Sequence, residues 1–188
     1  MEHAADDEKV FGFWVYLMTD LVLFAVLFSA YLVLNDSAFG GPTRHQLFEF
    51  STTLAETLLL LTSTFTCSLA IAMLHRKAAW AAIGLLSCTF VLGCGFLGLE
   101  ISEFAAFVKE GATPQRSAFL SSFFTLVGTH GGHIFIGLLW MLVEIVRLLI
   151  RPLTPQNLAR TYRLALFWHF LDVVWIFIFT VVYGIAWL

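Results

Sequence analysis

The chain has 188 residues, 60% of them hydrophobic and 12% charged, with a formal net charge of −3. Soluble domains carry about 25% charge, so this composition excludes an ordinary soluble domain, and the lack of a basic excess argues against nucleic-acid binding. With 20 Phe and 6 Trp, it is the composition of an integral membrane protein.

The first residues, MEHAADDEK, are acidic and polar. A signal peptide would begin with a basic stretch, so the first apolar run is expected to remain as a span. Residues 1–10 read as a polar cytoplasmic tail and residues 11–188 as a single membrane domain. A membrane helix takes about 20 largely apolar residues. Five runs meet this: Phe11–Leu34, Ser51–Leu74, Ala79–Phe107, Ala118–Ile150 and Tyr162–Trp187. They are separated by NDSAFGGPTRHQ, HRK, KEGATPQR and RPLTPQNLAR. An open strand would leave backbone groups unpaired in lipid. The expected fold is therefore all-α, an integral membrane bundle of five transmembrane helices with no internal repeat and no soluble domain.

The basic residues predict its orientation. Lys9, Arg76, Lys77, Arg147, Arg151, Arg160 and Arg163 fall on one side, and Arg44, Lys109 and Arg116 on the other. The positive-inside rule then places the N-terminus in the cytoplasm and the C-terminus in the periplasm.

Lipid tails are as apolar as Leu, so membrane helices associate through close packing and hydrogen bonds. The second run is rich in hydroxyls, including Thr57, Thr62, Ser63, Thr64, Thr66 and Ser68. These can bond to their own helix or to a neighbour. The fourth run carries Gly128 and Gly132 at a spacing that permits close backbone approach. The third contains Gly93, Gly95 and Gly98 as GxGxxG, but a nucleotide fingerprint needs a strand before it and a helix N-terminus after it. Cys67, Cys88 and Cys94 lack metal or redox spacing and read as small buried packing residues.

Ionisable residues inside the apolar runs are the most informative feature. A charge at bilayer depth costs about 2.5–3.5 kcal/mol on insertion scales. Asp20, Glu56, Glu100, Glu103, His130, His133, His169 and Asp172 must each be neutral, partnered or near internal water. Asp20 lies roughly 13 Å along its helix from Phe11, on the approximate face of Phe13, Leu17, Phe24, Leu27 and Tyr31. It reads as a proton-relay or lipid-contacting carboxyl, or as an acid bonded to a neighbouring helix. Glu100 and Glu103 share a face, as do His130 and His133, and His169 and Asp172. The paired acids suit proton relay or solvated packing. Two imidazoles with His169 as a third ligand would suit a metal or haem, but histidines bonded to carbonyls or acids are the better reading. Asp172 is placed to accept from His169 and fix its tautomer. Glu144 and Arg147 read as an interfacial ion pair worth little.

Three strings carry a family resemblance. FGFWVYLMTDLVLF (residues 11–24) resembles the first conserved helix of subunit III of haem–copper terminal oxidases. FFTLVGTHGGH (residues 123–133) is similar to that family's Gly/His helix, and WHFLDVVW (residues 168–175) to its C-terminal signature. GGPT (residues 40–43) and RSAFLSSFF (residues 116–124) further resemble its quinol-oxidase branch, the cytochrome bo-type ubiquinol oxidases.

The resemblance implies a non-catalytic accessory subunit of the five-span form in a bacterial inner membrane. The complex oxidises ubiquinol, reduces oxygen to water and pumps protons. The chain itself would hold no redox centre. Haem b, a haem o-type group and copper are expected in subunit I, with subunits I, II and IV and bound phospholipid as partners. Asp20 falls at the family's membrane-embedded carboxyl, usually Glu, and is shorter by one methylene. Glu103 aligns with a family glutamate, while Glu100 stands where relatives often have Gln. His130, His133, His169 and Asp172 match motif positions that organise helix contacts rather than bind metal. The alternatives are subunit III of a cytochrome c oxidase, a small proton-coupled transporter, and a haem-binding membrane anchor. A transporter would be expected to show repeats or broken helices.

Overall fold

A computed structural model describes residues 2–34, 50–109, 111–150 and 154–184. All regular structure among them is helical: α1 (Glu2–Leu34), α2 (Phe50–His75), α3 (Ala79–Lys109), α4 (Ala118–Ile150) and α5 (Pro155–Ile178). The last continues as a π-helical turn, Phe179–Gly184. Each helix contains a stretch long and apolar enough to cross a membrane: Phe11–Leu34, Ser51–His75, Ala79–Lys109, Ala118–Ile150 and Asn157–Gly184.

The first four spans agree with the hydropathy reading to within a turn. The fifth starts earlier than Tyr162. Thr154 caps α5 by accepting from the Asn157 backbone N–H at 3.3 Å, and proline stands in the first turn, where its missing N–H costs nothing. The helix thus begins inside a stretch too polar to register as a span. Backbone helix also runs back to Glu2, through the stretch read as a tail. The first connecting segment, including Gly40 to Arg44, and the end of the fifth run at Trp187 lie outside the described residues.

Two connections have well-defined chemistry. After α2, the Lys77 N–H donates to Leu74 O and the Ala78 N–H to Met73 O, with Lys77 at φ 58°. After α3, the Gly111 N–H donates to Val108 O and the Ala112 N–H to Phe107 O, with Gly111 at φ 76°. Both are left-handed caps that satisfy the last helical carbonyls. Arg116 donates from Nη1 to Gly111 O at 3.0 Å, tying the second turn to the start of α4. Ser117 caps α4 by accepting from the Leu120 N–H at 3.1 Å.

Helices α2 to α5 form a closed ring in which each packs on its chain neighbour and α5 returns to α2, while α1 lies against α4 and α5. The α1 contact uses one stripe: Leu17, Phe24 and Tyr31 are buried, and Phe13 and Leu27 pack against the core. Phe13 meets Trp140, Phe28 meets Phe177, and Tyr31 meets Phe119. The remaining surface is strongly apolar, with Trp80 78% and Phe65 66% exposed. Of the cysteines, only Cys67 is buried; Cys88 and Cys94 face outward, so the expectation that all three are core packing residues is corrected.

Close approach uses other glycines than those the spacing singled out. Gly132 meets nothing within 4 Å, and Gly128 meets only Phe104, at 3.7 Å. The tight positions are Gly93, Gly131 and Gly137. A Cβ on Gly93 would lie 2.9 Å from Trp168 Cη2, and one on Gly137 would lie 3.1 Å from Trp168 Cζ3. Trp168 of α5 is therefore wedged between α3 and α4.

Candidate functional site

The hydroxyls of α2 act as acceptors for α5. The Thr57 hydroxyl donates to Thr53 O and accepts from the Trp175 indole N–H at 3.1 Å. The Ser63 hydroxyl donates to Leu60 O and accepts from the Trp168 indole N–H at 3.0 Å. Thr66 and Thr89 join α2 to α3 at 2.8 Å. A hydroxyl has one proton and two lone pairs, so each of Thr57 and Ser63 can bond to its own helix and to α5 together.

At the junction of α1 and α4, Asp20 Oδ2 lies 3.8 Å from His133 Nε2, with both side chains largely buried. His133 Nδ1 is 2.7 Å from Thr129 O. A carbonyl only accepts, so Nδ1 carries the proton that forms this bond, and Nε2 faces the carboxyl. Asp20 Oδ2 has no hydrogen-bond partner among the described residues. Phe24, one turn after Asp20, packs its ring 5.3 Å from that of His133. Tyr16, one turn before, is an electrostatic neighbour of the Asp20 carboxyl.

His130 is different. It is fully buried, stacked on Trp175 at 5.4 Å and edge-on to Phe96 and Phe24. Neither ring nitrogen has a hydrogen-bond partner among the described residues. The expected bond to a carbonyl or acid is therefore absent at His130 and present at His133. One helical face does not imply one environment: His133 lies toward α1, and His130 points into the ring of helices.

His169 also departs from its expected partner. Its Nδ1 donates to Ala165 O at 2.6 Å, and its Nε2 lies 2.8 Å from Ser68 Oγ on α2. Asp172 does not accept from it; Asp172 Oδ1 has no hydrogen-bond partner among the described residues. The back-bond to its own helix holds the imidazole with Nε2 at Ser68 of α2, and the Asp172 carboxyl remains an electrostatic neighbour without a hydrogen bond to it. His130, His133 and His169 do not converge, and among the described residues no three His, Cys, Asp or Glu side chains gather as a metal site would require.

Inside the ring, Glu56 of α2 is an electrostatic neighbour of Glu100 and Glu103 of α3. The Tyr183 hydroxyl donates to Glu103 Oε2 at 3.2 Å. Tyr183 was not legible as a site residue: it is one tyrosine at the end of an apolar run. The oxygens of Glu56 and Glu100 have no hydrogen-bond partner among the described residues. Glu100 instead presses on α4, where a Cβ on Gly131 would fall 2.6 Å from its Oε1.

Glu144 corrects a further expectation. It is fully buried, accepting from Arg147 Nη1 at 2.9 Å and from the Thr161 hydroxyl at 2.9 Å. Only Arg147 reaches the surface, at 26% exposure. Removing one partner would strand a buried carboxylate, which a surface pair would not do.

A family profile described as Cytochrome c oxidase subunit III matches residues 3–187. Cytochrome bo(3) ubiquinol oxidase subunit 3 of Pseudomonas aeruginosa is 53% identical over 184 residues, covering 97% of this chain and 88% of that protein. Quinol oxidase subunit 3 of Bacillus spizizenii is 44% identical over 185 residues, covering 97% and 91%. Cytochrome c oxidase subunit 3 of Bacillus sp. strain PS3 is 47% identical over 180 residues, covering 93% and 84%. With the profile matched almost end to end on a bundle of five membrane-spanning helices, the chain belongs to the cytochrome c oxidase subunit III family.

Proposed function

We propose that this chain is the accessory subunit III of a proton-pumping terminal oxidase that oxidises ubiquinol and reduces oxygen to water in a bacterial inner membrane. The observation that carries the reading is the near full-length similarity to quinol oxidase subunit 3 proteins. Haem b, a haem o-type group and copper belong to subunit I, and this chain contributes no redox centre. Its partners are subunits I, II and IV and membrane phospholipid. The N-terminus lies in the cytoplasm, the side on which the chain order of the spans puts Arg76, Lys77, Arg147, Arg160 and Arg163.

Within that complex, Asp20 and His133 form a proton-exchanging pair. With the Nδ1 proton committed to Thr129 O, one further proton can reside on His133 Nε2 or on the Asp20 carboxyl. The 3.8 Å separation exceeds a direct hydrogen bond, so exchange requires a closer approach of the two side chains. Glu103, through Tyr183, and His169, through Ser68, hold the helices in register.

The test is purification of the native assembly in mild detergent, with subunit identification, reduced-minus-oxidised spectra, and turnover on quinol and on reduced cytochrome c. A haem-containing complex that retains this chain and turns over quinol is expected. A stable haem-free monomer whose removal leaves the parent complex fully active and durable would overturn the proposal. A second reading, subunit III of a cytochrome c oxidase, draws on the Bacillus sp. strain PS3 relative, and turnover on reduced cytochrome c alone would select it.

A further inference from the structure

One end of the ring, where α2 begins and α3 ends, gathers three acids under a turn of unusual helix. Glu103 lies about 9 Å before the end of α3 at Lys109, and Glu56 about 9 Å after the start of α2 at Phe50, at about 1.5 Å per residue. Glu100 is one turn deeper on α3. The three carboxyls are buried and are electrostatic neighbours. Carboxyls grouped in this way at bilayer depth cannot all ionise together, so the group carries at least one proton.

The last turn of α5 stands over them. All other helix among the described residues is α, and Phe179–Gly184 alone is π. The change begins at Phe179, whose N–H is shared between Trp175 O and Ile176 O, and the Thr180 hydroxyl donates to Ile176 O at 2.8 Å. π turns are rare, occur singly and are frequent at functional sites. Tyr183 ties this one down. It is 1% exposed, its ring packs against Trp175 and edge-on to Phe123, and its hydroxyl donates to Glu103 Oε2 at 3.2 Å.

From this geometry we propose that the π turn is a latch that gates proton exchange between the three glutamates and the aqueous phase at that end of the bundle. In the closed position the Tyr183 hydroxyl rests on Glu103, and its ring with Phe123 covers the acids. A π turn bonds i to i+5 and so rotates less per residue than an α turn. Rewinding 179–184 as α-helix therefore carries Tyr183 round the axis and takes its hydroxyl off Glu103. The movement stays local, because the indoles of Trp175 and Trp168 pin the preceding turns to Thr57 and Ser63 of α2. The latch goes beyond the subunit reading and uses it only to name the aqueous side, the periplasm.

Hydrogen exchange in the assembled oxidase tests this with two readouts. Amide exchange is followed peptide by peptide by mass spectrometry, and exchange of the protonated carboxyls in D2O by infrared spectroscopy. Tyr183→Phe keeps the ring and removes the hydroxyl. Loss of one buried hydrogen bond should speed both the amides of 179–184 and the carboxyls about fivefold, with the amides of 165–175 unchanged. Glu103→Ala should speed the same amides, and Glu103→Gln, which keeps an acceptor, should behave like the parent chain.

Unchanged exchange at 179–184 in both Tyr183→Phe and Glu103→Ala would overturn the latch. Acceleration along the whole of α5 would do the same, by showing general loosening, as would faster amides with unchanged carboxyl exchange. If Tyr183→Phe does not assemble, equal amide exchange at 179–184 in Glu103→Ala and Glu103→Gln overturns it. The subunit reading fails separately, through the haem spectrum and co-purification of the parent complex.

Discussion

The indole edge of Trp168 occupies the space that a side chain on Gly93 would need: a Cβ there would lie 2.9 Å from Trp168 Cη2 and 2.9 Å from Leu138 Cδ2. The wedge locks α5 against α3 and α4, because neither a fully buried ring nor a leucine between two helices has room to retreat. Gly93→Ala is therefore expected to lower stability by about 1–3 kcal/mol through overpacking. Gly98→Ala, with nothing within 4 Å, should change it by less than about 0.5 kcal/mol. Thermal dissociation of the detergent-solubilised complex separates the two.

Ser63 is the acceptor for the Trp168 indole N–H. Ser63→Ala strands that donor in a buried site and should cost about 0.6–1.7 kcal/mol, the range of interhelical hydrogen bonds in membranes. Thr62 bonds only to Leu58 O on its own exposed face, and Thr62→Ala should be near neutral. Equal shifts in the two variants would contradict the assignment.

Arg147→Gln leaves the buried Glu144 without its cation. Breaking a buried pair costs about 3–5 kcal/mol; the partial exposure of Arg147 and solvent screening reduce the expected loss to about 1–3 kcal/mol. Replacing both residues by Gln should recover most of it. A double variant no more stable than Arg147→Gln would show that lost packing, not the stranded carboxylate, dominates.

Lys77 sits at φ 58° in the cap after α2 with its side chain exposed. A left-handed conformation costs an L-residue roughly 1 kcal/mol, and glycine adopts it without that penalty. Lys77→Gly should raise the unfolding midpoint modestly, whereas Lys77→Val should lower it.

Asp20→Asn keeps the shape of the side chain and removes its exchangeable acid proton. Proton uptake or turnover lifetime of the complex should fall severalfold with the haem spectrum unchanged, and His133→Gln should act in the same direction. An unchanged steady-state rate, pumping ratio and inactivation time in both variants would reject the proton-exchange role.

Within the bundle, which polar residues meet a partner depends on how each helix is rotated. Asp20 and His133 stand on faces that their own helical periodicity marks, and packing α1 on α4 brings them together. His169 was matched to Asp172 because they are near in sequence, yet Ser68 on α2 holds its Nε2. Glu144 looked interfacial from its place near the end of a span, and Thr161 together with the α4–α5 packing buries it. Gly128 and Gly132 looked like an internal seam, and the tight contacts fell instead on Gly93, Gly131 and Gly137.

Hydropathy is a local property, summed over neighbours in the chain, so the helical class and the number of spans can be read directly from the amino-acid order. Partnership is not local. Thr57 meets Trp175 across 118 positions and Ser68 meets His169 across 101, and a rotation of any helix by one residue would separate such pairs. These pairs emerge from helix packing, because lipid offers the helices little hydrophobic reason to choose one face over another and leaves the choice to side-chain shape and hydrogen bonds.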